Sequence, residues 1–444
     1  MTSARRLSAF LRTVALFLLL AAGGARAGMT VMHGFADYTS VLLWIQTERT
    51  GPVAITVTPE AGGESRLFTF DADAANDHVL TARVPGLAPG TQYRYRIAAQ
   101  GEVREGTVRT QPYWSRAADA AELTIAIGSC HYLAHPNPAF RGSGGDYGIF
   151  DAIAAKRPDM MLWLGDNLYL QPPDLLDPSS MAARYRQVRN FAPMQALLTA
   201  TSHLAILDDH DFGPNDSDGS YVLKGESLKL FQRYWPNPSY GLPGIAGAFG
   251  WARLGDVEFF LLDDRYYRFP NHYPDVPEKT MFGPAQFEWL KQALLSSHAR
   301  IKVVAGGSQF WNRASRFEGL YQFPQEQRRL ADWLLRQKID GVIFVSGDRH
   351  FGELLKIERP GAYPLYEYTS SPLTSGAVAN LEAAERDNPD VVPGTLQGKR
   401  QFGLIRVSGP GTDRRLAFEA YDSDGAQLWR HEIKANDLRF PRAK

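Results

Sequence analysis

Apolar and polar positions change rhythm twice along this chain. Over residues 29–112, Val53, Ile55 and Val57 are interleaved with Ala54 and Thr56, and Tyr93, Tyr95 and Ile97 with Arg94 and Arg96. A period of two sends successive side chains to opposite faces and predicts half-buried strands. Turn clusters at Glu60-Ala61-Gly62-Gly63 and Pro89-Gly90-Thr91 separate the runs. Residues 41–47, which contain Trp44, read as an early strand. A small β-sandwich is the expected product, and no catalytic constellation lies within it.

From residue 123 the pattern becomes short apolar runs separated by helical periodicity. Residues 123–127 read as a strand, and 147–156 as a helix with Ile149, Phe150 and Ile153 on one face. Pro158 closes that connection before a strand at 160–164. Pro284 and Pro324 each open a further helix, followed by strands at 301–305 and 341–345. Proline suits the first helical position, where its missing N–H has no intrahelical partner. Strand–helix–strand repetition predicts a layered α/β domain. The last third returns to strands at 402–407, 416–421 and 427–433. The stretch 171–250 is rich in Pro, Tyr and Gly, and its length predicts a cover over a site.

The chemistry lies where the apolar runs stop. His203-Leu204-Ala205-Ile206-Leu207 ends in Asp208-Asp209-His210-Asp211, then Asn215. Adjacent carboxylates repel when ionised, and burying them is costly unless a cation or hydrogen-bond donors compensate. Other runs end in Gly128-Ser129-Cys130-His131, Gly165-Asp166-Asn167-Leu168-Tyr169, Asp263-Asp264-Arg265 and Ser346-Gly347-Asp348-Arg349-His350. Ligands of open α/β sheets sit outside the carboxyl ends of strands. A lone Asp there is commonly a helix cap, but five such groups in order point to a metal centre.

Length and charge narrow the function. A chain of 444 residues exceeds one compact core, so two domains are expected. Forty-eight basic residues balance 48 acidic ones, which argues against a long polyanion and excludes nucleic acid as the expected partner. Arg5, Arg6 and Arg12 precede a short apolar run at 13–22, and Ala25-Arg26-Ala27 fits a cleavage site. Residues 1–27 therefore read as a signal peptide, with no stable membrane span after its removal, and the mature protein as periplasmic or extracellular. Arg5-Arg6 leaves the twin-arginine and general export routes both open. Cys130 is the sole cysteine, so no intramolecular disulfide forms.

These ordered motifs resemble the alkaline phosphatase D (PhoD-like) family of metallophosphatases, related to calcineurin-like metallophosphoesterases and purple acid phosphatases. The resemblance runs from the sandwich, whose segment from Leu87 to Tyr93 is similar to a fibronectin type III turn, to the C-terminus. It implies a fibronectin III-like sandwich at 28–118 and an α/β/β/α catalytic domain at 119–444. It also implies a ferric ion held by Cys130, Asp166 and Tyr169, with Asp166 bridging to calcium and Asp209, Asp348 and His350 completing the ligands; Mn, Mg and Zn are alternatives. Thiolate and phenolate donors favour a trivalent metal. His210 is implied as the catalytic acid, Asp211 as its orienting partner, and Arg265 and Asn215 as phosphate contacts. Arg349 is a second arginine candidate, with structural pairing as its alternative. His131 and His135 read as loop residues.

The implied reaction is two-metal hydrolysis of a small phosphate ester, with hydroxide attacking phosphorus in line, by a monomer. A phosphodiesterase or phospholipase-D-like activity is the nearest alternative. A non-catalytic adhesion protein with a degenerate site is a third, disfavoured by the complete ligand set. Ser129 has no base to activate it, which disfavours a serine hydrolase. Leu207 stands where the family often has tryptophan, and Phe212-Gly213-Pro214-Asn215-Asp216 is a variant of the usual asparagine-containing stretch; both leave substrate preference open.

Overall fold

The computed structural model describes residues 28–113, 122–134 and 144–441. The expected signal peptide, the domain boundary at 118/119 and His135 lie outside the described residues. The N-terminal part is the expected sandwich: β1 (Thr30–Ala36), β2 (Val41–Gln46), β3 (Gly51–Pro59), β4 (Arg66–Ala72), β5 (Val79–Val84), β6 (Gln92–Ala99) and β7 (Glu102–Arg109). They form sheets ordered β1-β2-β5 and β4-β3-β6-β7. Val53, Ile55 and Val57 are buried between the sheets while Ala54 and Thr56 are half-buried, so the period of two is realised. β2 is buried on both faces. Leu43 and Ile45 enter the sandwich core, whereas Trp44 packs into the next domain and donates its indole N–H to Arg233 O at 2.8 Å.

The second domain continues through β8 (Leu123–Gly128), α1 (Ile149–Ala155), β9 (Met160–Leu164), α2 (Pro178–Arg189), α3 (Gln195–Ala200), β10 (Ser202–Ile206), α4 (Asp209–Phe212) and α5 (Lys224–Tyr234). Then come β11 (Gly250–Leu254), β12 (Val257–Leu261), α6 (Pro284–Ser296), β13 (Ile301–Ala305), α7 (Pro324–Arg336), β14 (Val342–Ser346), β15 (Glu353–Ile357) and β16 (Leu365–Thr369). The chain closes with α8 (Ala383–Arg386), β17 (Gln401–Ser408), β18 (Arg415–Asp422) and β19 (Gln427–Lys434). Two six-stranded sheets result, ordered β10-β9-β8-β17-β18-β19 and β11-β12-β13-β14-β16-β15.

The apolar runs are continuous because these strands are buried on both faces. In β9, Leu162 and Leu164 join the core shared with Phe259, Leu261 and Val303 of the second sheet, while Met161 and Trp163 pack with Phe150, Tyr185 and Phe231 of the helices. Each such side chain contributes about 1.5–3 kcal/mol by leaving water. Leu290 and Leu294 of α6 and Leu330 and Leu334 of α7 cover the second sheet, completing an α/β/β/α stack. The stretch 171–250 is not one continuous loop. It holds α2 to α5 and β10, packed through Met181, Tyr185, Leu197 and Phe231. Among the described residues no helix is long and apolar enough to cross a membrane.

Candidate metal centre

β8, β9 and β10 run parallel, so their carboxyl ends deliver Cys130, Asp166 and Asp209 to one edge. β14, in the other sheet, delivers Asp348 and His350 to the same place. Gly347 makes the approach possible: a Cβ there would lie 2.6 Å from Leu164 O and from the Ser129 side chain. The exits are sharp. Cys130 (φ 60°), Asp166 (51°), Asp348 (63°) and His350 (56°) all sit in the left-handed region, which costs a non-glycine residue of order 1–3 kcal/mol and clusters at functional sites.

The ligand atoms form overlapping groups. Cys130, Asp166 and His350 have donor atoms within 4.8 Å of one another, as do Asp166, Asp208, Asp209 and Asp348, and Asp166, Asp209 and His210. Asp166 belongs to all three. Tyr169 Oη lies 3.0 Å from His350 Nε2, and its ring packs on His210, tilted by 32°, with centroids 4.1 Å apart. The His210 N–H donates to Asp166 Oδ1 at 3.2 Å, so the backbone that carries the imidazole is fixed to the shared carboxylate.

Electrostatics fit a bound cation. Asp209 Oδ1 is buried without a hydrogen-bond partner, which costs about 1–3 kcal/mol unless something pairs with it. Burial, then the charges of Asp209 and Cys130, hold the Asp166 carboxyl well above its ordinary value. Burial pushes the Cys130 thiol up to about 11 and Asp348 up to about 7, the latter helped by Glu318. Asp209 is the exception: burial opposes its ionisation, but His210 and Arg265 outweigh it and hold the carboxyl low. A cation would reverse the rises by compensating the ionised forms.

A family model described as PhoD-like phosphatase matches residues 125–408. The chain belongs to the PhoD-like phosphatase family. Membership makes it a phosphoester hydrolase, and the family implies metal ions. Among solved structures, "Structure of PhoD" is 19% identical with a TM-score of 0.74, covering 91% of each chain. A purple acid phosphatase from yellow lupin (Lupinus luteus) seeds is 13% identical with a TM-score of 0.68, covering 94% of this chain and 77% of that one. These identities establish a shared fold. No curated protein matches the sequence significantly.

The expectations for Arg265 and Asp211 change in this PhoD-like phosphatase. Arg265 is fully buried, not open to substrate. Its Nε donates to Asp208 Oδ1 at 2.7 Å, Nη1 to Glu318 Oε2 at 3.0 Å and Ser217 O at 3.2 Å, and Nη2 to Asp208, Glu318 and Ser308. Its donors are thereby engaged. Asp211 does not reach the His210 ring. It accepts the N–H of Asn167 and of Asp208 at 3.0 and 3.1 Å, closing a capping box on α4. Asn215 is exposed on the following loop, where its neighbour Asp216 donates its N–H to Asp209 Oδ2 at 2.8 Å. Arg349 pairs with buried Glu385 at 3.0 Å. His131 is buried, with Nδ1 2.9 Å from Thr374 Oγ1.

Sequence reasoning missed Glu318, Ser371 and Ser375. Ser371 Oγ lies 3.1 Å from Cys130 Sγ, and Ser375 Oγ 3.2 Å from His350 Nε2. The available signal was the run Leu365–Thr369, which ends in Ser370-Ser371 as the others end in acids.

Proposed function

We propose that this PhoD-like phosphatase is an exported hydrolase that cleaves small phosphate esters at a two-cation centre. The observation that carries the reading is the Asp166 carboxylate, which belongs both to the Cys130–His350 group and to the Asp209–Asp348 group. A ferric ion suits the first group, where thiolate and imidazole stand beside the Tyr169 phenol; Ca²⁺ suits the carboxylates of the second. Cations bound there would supply Lewis acidity toward the phosphate oxygens.

The chain supplies the rest. His210 is partly exposed at the rim, a position from which its imidazole gives a proton to the leaving alkoxide. The Tyr169 ring packed against it and the backbone bond to Asp166 hold it in place. Tyr132 packs on Tyr169 with ring centroids 4.9 Å apart and shields the Cys130 side from water. Export draws its support from Arg5, Arg6, Arg12 and the apolar run after them.

A second reading, preference for phosphodiesters, draws on Arg265 and Arg349. Both are committed to buried carboxylates, so neither is available to clamp the extra anionic oxygen of a monoester. Parallel rates on 4-nitrophenyl phosphate and its bis-ester test this, and faster turnover of the monoester would sink it. The metal reading is tested by elemental analysis with activity before and after chelation. Iron with calcium supports it; two zinc ions, or full activity without metal, overturns it.

A further inference from the structure

The segment after β16 reads Ser370-Ser371-Pro372-Leu373-Thr374-Ser375 and holds the Cys130 loop by its backbone. Leu373 N–H donates to Ser129 O at 2.8 Å, and Thr374 and Ser375 N–H donate to Cys130 O at 3.2 and 3.1 Å. One side chain goes further. Ser371 Oγ accepts the N–H of His350 at 2.9 Å and lies 3.1 Å from Cys130 Sγ. With His350 on its lone pair, its single proton is directed at sulfur. The neighbouring serine hydroxyl, Ser129 Oγ at 3.4 Å from sulfur, spends its proton on Ser370 O at 3.1 Å. Both Ser371 and Cys130 are fully buried, so the hydroxyl contact is shielded from bulk water.

We infer that Ser371 is a positioning residue that ties Cys130 to His350 and sets how strongly the Cys130 sulfur donates to a bound cation. The inference rests on the reading of Cys130 as a ligand. A hydrogen bond to a thiolate withdraws electron density from sulfur, which weakens donation and moves thiolate-to-metal charge transfer to higher energy. The same hydroxyl bridges loops from different sheets, since Cys130 follows β8 and His350 follows β14.

The test uses the full chain, stripped with chelator and titrated with Co²⁺ as the probe, because a thiolate ligand gives Co²⁺ a near-ultraviolet charge-transfer band. The wild type shows that band. Ser371→Ala moves it to lower energy as sulfur donation strengthens, yet weakens Co²⁺ binding by about 10-fold because the tie that holds Cys130 beside His350 is lost, in the range for loss of a partner to a metal ligand. Ser371→Thr, which keeps the hydroxyl, restores the wild-type band. Ser129→Ala leaves the band in place, because the Ser129 proton is used elsewhere. An unchanged band and affinity in Ser371→Ala, or an equal shift in Ser129→Ala, overturns the inference while leaving Cys130 a ligand. A wild-type complex with no thiolate band removes Cys130 from the ligand set and overturns both.

Discussion

Replacing Arg265 with methionine separates two roles for this residue. The side chain keeps most of its length and loses its charge and donors. Asp208 and Glu318, both buried, then lose the guanidinium that pairs with them. Removing one partner of a buried ion pair costs about 3–5 kcal/mol, mostly because the other charge is left uncompensated. For the roughly 320 residues that follow the sandwich, about 2.1 cal/mol/K per residue gives an unfolding entropy of ~0.7 kcal/mol/K. The melting temperature of Arg265→Met should therefore fall by about 4–8 °C. Differential scanning calorimetry measures this beside KM for a chromogenic ester. A phosphate clamp would behave in the opposite way, with unchanged melting and a KM raised ~10-fold or more. Wild-type melting with raised KM would refute the buried-network assignment.

Three further outcomes are expected. Burial, then Glu385, pushes Glu353 up to about 8 from its ordinary 4.5, so the native state holds this proton where the unfolded chain releases it. That contribution is fully present below about pH 4.5 and is lost as pH rises to about 8. Glu353→Gln should remove up to about 1.4 kcal/mol per pH unit of that decline in urea unfolding; parallel pH–stability curves would contradict it. Gly347→Ala should cut bound metal and activity together, because the new methyl meets Leu164 O and Ser129 at 2.6 Å; full metal content by elemental analysis would count against the close approach. Asp211→Ala strands the buried N–H groups of Asn167 and Asp208 and should cost about 1–3 kcal/mol for each, with the activity pH profile unmoved. A shifted profile at wild-type stability would return Asp211 to the role of orienting His210.

The core strands were legible because burial on both faces writes itself as an unbroken apolar run. Met160–Leu164 and Ile301–Ala305 appear in the structure at the limits their sequences set. The edge that gathers Cys130, Asp166, Asp209, Asp348 and His350 was legible for a related reason: costly groups at strand ends imply something to compensate them. Arg265 shows where this stops. Residue type states what it can bind, but its direction is set by Glu318, 53 residues later, in a stretch with no apolar run to mark it. Asp211 has the composition of a catalytic partner and the position of a helix cap, and the local backbone decided for the cap. Ser371 carries no charge, so nothing in its identity marked it.

The placement of β17 has a kinetic meaning. Gln401–Ser408 lies between β8 and β18 in the sheet that carries Cys130, Asp166 and Asp209. That sheet stays incomplete until the C-terminal third of the chain exists. The proposed ligands span about 220 residues of sequence, from Cys130 to His350. Long-range pairing of this kind is slow to close, and the exposed edge of β8 is open to wrong partners in the meantime. A chain that holds a cation between these groups has therefore already stacked its two sheets, which makes metal content a lower bound on how many molecules in a preparation have finished folding.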